Sequence, residues 1–424
     1  MQLREKIKRS LPEFLLGPLR HIKGQLGPLP LEDIVLHGYS TTIDGAAKPR
    51  LNLIIPTIAP EKAFGGVTTG LDIFLELGKR ANSDLRIILD DIGEVPRGNL
   101  VANQARNAGV NPNVIQIVPR TTDVPRLDVR ERDVFLVYNW WTALNAKQLL
   151  KFQTGHFGRA AAPLLYLIQE YEPHFYEFSS THMLARQAFS PDFPCWGIFN
   201  SGELYRYFCA QGHHLEHSIT FEPHLNECLK AILKKGPLNK SKRIVIYGRP
   251  GISRNCYPAI EKGMREWAAR FPEFANWEIL SAGTLHRPLR LSATQTIQSL
   301  GKLSMEQYGD LLLSAAVGLA LMSSPHPSYP PLEMAHFGLL TVTNTYHSKD
   351  LAQSHENIIS IDNIAPDTIA NALAGACRRF ESDQQCGWHG KTYRPSFLED
   401  GDFAFLDQLS NAFTRCGAMT PRHI

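Results

Sequence analysis

From Arg50 onward, short apolar runs alternate with stretches of helical periodicity, and this alternation constrains the fold more than any other feature of the sequence. LNLIIP at 51–56 and the runs at 85–89, 114–118, 134–138, 164–168 and 195–199 have the length of strands buried on both faces. After the first of them, Val67, Leu71, Phe74 and Leu75 recur at helical spacing. Right-handed βαβ crossovers turn such a pattern into a doubly wound parallel sheet. The alternation restarts with RIVIYG at Arg243, continues through 277–282, 317–322, LLTVTN and NIISI, and ends in a helix expected over 366–380. Two α/β domains follow, 50–225 and 242–395, with a linker at 226–241 containing KKGPLNKSK. The ends are a basic arm, 1–49, whose residues 26–49 read as loop, and a tail, 396–424. In the tail Phe397, Leu398, Phe403, Phe405, Leu406 and Leu409 predict an apolar helix.

Composition enters through what it excludes. A chain of 424 residues at 43% hydrophobic has enough apolar residues for two cores, and a net charge of +3 with no nucleic-acid-binding motif gives no reason to expect DNA or RNA as a partner. Seven cysteines, odd in number and without C-x-x-C spacing, read as reduced thiols of a cytoplasmic protein rather than a disulfide framework or zinc site. No apolar run reaches the length of a membrane span, and the first 25 residues lack the apolar core of a signal peptide. They carry Arg4, Lys6, Lys8, Arg9, Arg20 and Lys23 among leucines, which suits either an anionic lipid surface or an arm docked on its own domain.

The chemistry concentrates where strands end, the edge at which open α/β sheets bind ligands. Ser323 to Gly338 reads SSPHPSYPPLEMAHFG, with Pro331 expected as the first helical residue and Glu333 in the first turn. A strand-to-helix loop of this kind aims free N–H groups and the positive helix end at an anion such as a phosphate. Glu333 would repel a phosphate, but it can accept two hydroxyl hydrogen bonds from a ribose or sugar; alternatively it only offsets the helix dipole. Ser328, Tyr329 and Leu332 share that loop and helix start. Gly65 and Gly66 occupy another strand-to-helix junction, where bare backbone admits a ligand. Trp140 and Trp141 follow the 134–138 strand, as either a stacking face for a sugar or a plug under a loop. Gln169 and Glu170 follow the next strand. Arg249 stands just past the Arg243 strand with Arg254 five residues on, and Lys302 precedes a Ser304–Gln307 capping box. Asp400 and Asp402 have D-x-D spacing but lie far from any strand end, and they read as helix-start acids.

The runs FGGVTTGLDIF, YLIQEYEPHFY, YGRP, SLGKLSMEQYGDLL and SPHPSYPPLEMAHFGL resemble bacterial rhamnosyltransferases of the WsaF type, within glycosyltransferase family 4, over most of residues 50–410. The resemblance implies a GT-B fold: two Rossmann-like domains facing a central cleft, with a C-terminal helix crossing back to the first. It implies transfer of L-rhamnose from dTDP-β-L-rhamnose, with retention, to a growing, polyprenyl-linked glycan at the inner membrane face, without metal or other cofactor. Arg249 and Glu333 would carry catalysis. Gly65, Gly66, Arg249, Arg254, Lys302, Ser328, Tyr329, Leu332 and Glu333 would bind the donor, and Trp140, Trp141, Gln169 and Glu170 would line the sugar and acceptor pocket. Pro325 departs from the pattern, standing where family 4 has an acid facing the transferred sugar. Gln169 stands near a histidine that elsewhere touches a 6-hydroxyl, which a 6-deoxy sugar lacks. A GT-B transferase using another nucleotide sugar, a sugar-nucleotide epimerase, which would want paired acids and a histidine around the sugar, and a non-catalytic glycan-binding subunit are the alternatives.

Overall fold

The computed structural model describes residues 31–59, 65–93, 98–160, 162–190, 192–401 and 403–413. The basic segment 1–25, with the membrane contact expected of it, and Asp402 lie outside these residues. The N-terminal half contains strands β1 (Ser40–Ile43), β2 (Arg50–Ile55), β3 (Asp84–Ile92), β4 (Ile115–Arg120), β5 (Arg126–Val129), β6 (Asp133–Val137), β7 (Leu164–Ile168), β8 (Cys195–Phe199) and β9 (His217–Thr220). Its helices are α1 (Leu31–Val35), α2 (Gly65–Arg80), α3 (Leu100–Asn107), α4 (Trp140–Phe157), α5 (Ser180–Gln187) and α6 (Gly202–Ala210). Seven strands form one sheet in the order β4-β3-β2-β6-β7-β8-β9. All its neighbours are parallel.

The C-terminal half continues with α7 (Glu227–Leu233), β10 (Ser241–Gly248), α8 (Tyr257–Arg270), β11 (Glu278–Gly283), β12 (Leu289–Arg290), β13 (Thr296–Gly301) and α9 (Met305–Ser314). It ends with β14 (Ala315–Leu319), α10 (Tyr329–His336), β15 (Leu340–Asn344), β16 (Ile358–Ile361), α11 (Pro366–Ser382) and α12 (Leu406–Ser410). Its sheet has the order β12-β13-β11-β10-β14-β15-β16, and only the short β12 runs antiparallel.

Every residue of β2, β6, β7 and β8 is buried, which is why these strands appear in the sequence as unbroken apolar runs. Alternate side chains nevertheless serve different faces. Leu51, Leu53 and Ile55 join one apolar cluster and Ile54 the other; in the second sheet Ile244 and Ile246 oppose Val245 in the same way.

Three segments differ from the sequence expectation. Residues 31–43 are not loop: α1 is followed by β1, which pairs in parallel with β5 outside the main sheet. Behind that ribbon a buried ionic network closes the amino ends of the strands, with Arg50 Nε and Nη2 on the two Asp133 oxygens at 2.8 and 2.9 Å. The 226–241 segment holds α7, whose Leu229 and Ile232 join a C-terminal-domain core. Among the described residues of the tail, helix is confined to α12 and two short 3-10 turns, and Asp400 is tied to Lys230 Nζ at 2.8 Å where the chain crosses over. The crossing itself is as expected: Leu406, Leu409, Ala412 and Phe413 complete the N-terminal core, and Phe405 stacks on Phe221. Among the described residues no helix is long and apolar enough to cross a membrane, and no three His, Cys, Asp or Glu side chains are grouped to hold a metal ion.

Candidate active site in the interdomain cleft

The carboxyl ends of β10, β13 and β14 lie on one edge of the second sheet, and the loops leaving them carry the basic residues and the acid singled out above. Arg249 follows β10 directly, with Nη1 3.5 Å from the Tyr247 hydroxyl. Beside it β11 ends in Gly283 at φ +148°, where a Cβ would stand 2.3 Å from the Gly248 carbonyl and 3.0 Å from Arg249 Cγ. Only glycine lets the two strand ends approach so closely at that φ. Arg254 sits in a 3-10 turn, and its carbonyl accepts the Ser323 N–H at 2.7 Å, joining the β10 and β14 loops. Lys302 is exposed just past β13. Of the four described non-glycine residues with positive φ, Cys256, Ser328 and His347 all lie on this edge. Such strain persists only where the surroundings over-determine it, and it clusters at working sites.

Helix α10 starts at Tyr329, two residues earlier than expected, with Ser328 as its cap. Glu333 is therefore the fifth helical residue and not in the first turn. The correction changes the chemistry, because Pro330 and Pro331 now take the second and third positions and have no N–H. The Ser328 N–H is already donated to His326 Nδ1 at 3.0 Å. Of the four N–H groups a helix start leaves free, only that of Tyr329 remains, so the anion-binding capacity here rests on guanidinium and ammonium groups more than on amides. Leu332 is fully buried in the core, so its side chain lines nothing. Glu333 is 9% exposed, and burial pushes its pKa up to about 7, an effect the adjacent Tyr308 hydroxyl partly offsets.

On the facing wall, Gly66 in the first turn of α2 meets Gln169: Gln169 Nε2 donates to the Gly66 carbonyl at 3.0 Å. A Cβ at Gly66 would come within 2.6 Å of the Tyr138 hydroxyl and 2.9 Å of Gln169 Oε1, so the protein's own packing already demands glycine there. Gly65 opens the same helix. Glu170 reaches across the cleft. It accepts from Ser324 Oγ at 2.5 Å and lies 4.0 Å from Arg254 Nε. Burial raises its pKa against the opposing pull of Ser324, Arg254 and Lys349.

The tryptophan pair does not form a sugar wall. Asn139 caps α4 in a capping box with Thr142, which turns Trp140 back under the loop. Trp140 is fully buried, its Nε1 donating to the Tyr176 hydroxyl at 2.8 Å and its backbone N–H to Glu172 at 2.6 Å. Burial drives Glu172 up to about 8. Trp141 is half-buried, edge-on to Trp140 and packed against the same core.

Several cleft residues escape a sequence reading. Lys349, 1% exposed, donates to the Met322 carbonyl at 3.1 Å beside Glu170, and burial brings it down to about 8. Arg394 bridges Glu203 and Glu222 of the N-terminal domain. His326 is buried at the domain boundary. For His326 and Lys349 the one available signal was position shortly past a strand end, which many surface residues share, and Arg394, in the segment after α11, lacked even that. Together the cleft offers fixed cations for a diphosphate, a carboxyl suited to hydroxyl groups, and a second acid on the opposite wall.

The family described as WsaF matches this chain in both parts, its N-terminal domain over residues 50–202 and its C-terminal domain over 242–374. The O-antigen biosynthesis protein RfbC of Myxococcus xanthus is 32% identical over 243 residues, which is 56% of this chain but only 18% of that protein's length. Among solved structures, the α,α-trehalose-phosphate synthase (UDP-forming) from Burkholderia xenovorans, in complex with glucose-6-phosphate, superposes with a TM-score of 0.51 at 12% identity over 86% of this chain and 98% of that one. WaaG, a glycosyltransferase involved in lipopolysaccharide biosynthesis, gives 0.50 at 11% identity over 86% and 99% of the two chains. At such identities the likeness speaks for the fold alone, and that fold is GT-B.

Proposed function

The chain belongs to the WsaF family, whose two domains it carries in order, and from that premise we propose that it is a glycosyltransferase of cell-surface polysaccharide synthesis. Its donor in this reading is dTDP-β-L-rhamnose and its acceptor a growing, polyprenyl-linked glycan at the inner membrane face. The observation that carries the reading is one buried acid, Glu333, set at the same sheet edge as Arg249, Arg254 and Lys302. The three cations take the diphosphate, and Arg249 and Arg254 hold the charge that grows on it as the glycosidic bond breaks. Ionised Glu333 accepts the ribose hydroxyls. Transfer proceeds with retention, the departing diphosphate assisting attack from its own face, so no protein nucleophile is required.

For the sugar, Gln169 is spent on the Gly66 carbonyl, and Pro325 and Tyr329 line the loop without a carboxylate. A hexose 6-hydroxyl would find no acid on this loop to replace the one Pro325 displaces, and the nearby Glu170 is already engaged by Ser324, whereas a C5 methyl would be accommodated; a stranded hydroxyl costs about 1 to 3 kcal/mol. Turnover measured side by side with dTDP-L-rhamnose, dTDP-D-glucose and UDP-glucose tests this. Preference for either glucose donor would overturn the rhamnosyl assignment and leave the glycosyltransferase one standing.

A further inference from the structure

The loops leaving three adjacent parallel strands of the second sheet, β10, β14 and β15, converge on one carboxylate that belongs to the other domain. Ser324, after β14, donates its hydroxyl to Glu170 at 2.5 Å, and Arg254, after β10, brings its Nε to 4.0 Å from the same carboxylate. Lys349, after β15, adds a second positive charge beside it. A hydroxyl, a guanidinium and an ammonium around one oxyanion are the groups with which proteins hold a phosphate.

The donor domain supplies the cations of this corner and the opposite domain supplies the anion. Among the described residues the carboxylate paired with Arg254 is Glu170, and those acting on Lys349 are Glu170 and Glu203, both in the N-terminal domain. On the donor loop itself Pro325 follows Ser324 and brings no charge. The Arg254 pair is also loosely made. At 4.0 Å it is an ionic contact without a hydrogen bond, whereas Arg50 closes on Asp133 at 2.8 and 2.9 Å. A diphosphate, with more than one negative charge and oxygens that a guanidinium can bind two at a time, is the stronger partner for Arg254. The acceptor-domain loop that carries Glu170 also places the Phe175 ring 4.6 Å from the Arg254 guanidinium, so this one loop covers the cation twice.

We propose that Glu170 is an internal stand-in for the donor diphosphate, holding the corner made by Arg254, Lys349 and Ser324 until a diphosphate displaces it. The proposal rests on the donor reading above, in which Arg254 takes the diphosphate. Its consequence is that donor binding competes with a contact between the domains: as the diphosphate arrives, the acceptor-domain loop 169–176 is released. No covalent step and no proton transfer is asked of Glu170.

Amide hydrogen exchange on the wild-type chain reads the release directly. Saturation with inorganic pyrophosphate, or with dTDP, should speed exchange over 169–176 about fivefold, while thymidine, which has no phosphate, should leave it unchanged. In Glu170→Gln the same amides should exchange faster from the start and respond little to pyrophosphate. By calorimetry Glu170→Gln should bind pyrophosphate about tenfold tighter than wild type, with thymidine affinity changed less than about twofold. Tighter anion binding alone would also follow from deleting a nearby charge, so the exchange result decides between the two. Slower or unchanged exchange over 169–176 with pyrophosphate bound, or an affinity in Glu170→Gln equal to or below that of wild type, would overturn the stand-in while leaving the donor site standing. If neither protein bound pyrophosphate or dTDP, the donor reading would fall and the stand-in with it. The wild-type exchange experiment needs no substitution, so the test holds even if the variant does not fold.

Discussion

At Glu333 the carboxyl is buried, and its pKa rises from the ordinary 4.5 to about 7. The unfolded chain gives up this proton near 4.5 and the folded chain only near 7, so the native state binds the extra proton between those values. Stability from this group is complete below about pH 4.5 and is lost as pH climbs through 7. Glu333→Gln should match wild type near pH 4 and exceed it by about 3 kcal/mol at pH 8, while losing nucleotide affinity. Chemical denaturation at both pH values checks this, and equal stabilities at pH 8 would contradict it. Arg249→Ala, by contrast, should lower turnover about a hundredfold with little change in melting temperature, because the contact strengthens as charge develops on the leaving diphosphate. Normal turnover would remove Arg249 from the site. With Pro330 and Pro331 removing amide donors, the diphosphate is left mainly to partly exposed cations, so dTDP affinity should fall steeply as salt is raised, as isothermal titration at several ionic strengths would show. Glu333 and Arg249 were legible because they follow strands whose sequence pattern is strong. Trp140 was misread because a tryptophan after a strand looks the same whether it faces a ligand or plugs a helix start. His326 and Lys349 carry no local signal beyond following a strand, a position many surface residues share.

Among the elements, α12 is only five residues long, yet it holds the end of the chain against α2. Leu409 is fully buried there, so Leu409→Ala should cost about 2 to 5 kcal/mol by denaturation while leaving dTDP affinity at the second domain unchanged. A loss under about 1 kcal/mol would mean that the crossing contributes little. The long central strands were legible because burial on both faces writes a continuous apolar run. The short β1, β5, β9, β12 and β13 were not, as they span two to six residues and lie outside or toward the margins of the main sheets. The start of α10 was misplaced because proline is accepted at several first-turn positions, and the sequence does not say which of two adjacent prolines comes where.

For the whole molecule, the alternating pattern sufficed to predict two facing domains, but not what holds them together, since those partners lie far apart in the chain; Glu170 and Ser324 are separated by 154 positions. Arg394 is one such tie, set between Glu203 and Glu222. Arg394→Ala would leave two neighbouring carboxylates without their counterion, which should destabilise by about 3 kcal/mol at pH 8 and less as the acids protonate toward pH 4. Thermal melts across that range check the trend; a pH-independent loss would point to packing alone. Further ties are Glu170 with Ser324 and Arg254, the Tyr346 hydroxyl with His174 at 3.2 Å, and two ring contacts, Phe175 under Arg254 and Tyr207 against His347. The apolar clusters meanwhile keep to one domain each, apart from Leu225, the C-terminal tail and Tyr346. Heat capacity reports the apolar area removed from water when surfaces meet. Bringing these two walls together removes little apolar area beyond those few rings, so the enthalpy of nucleotide binding should change only modestly between cold and warm titrations.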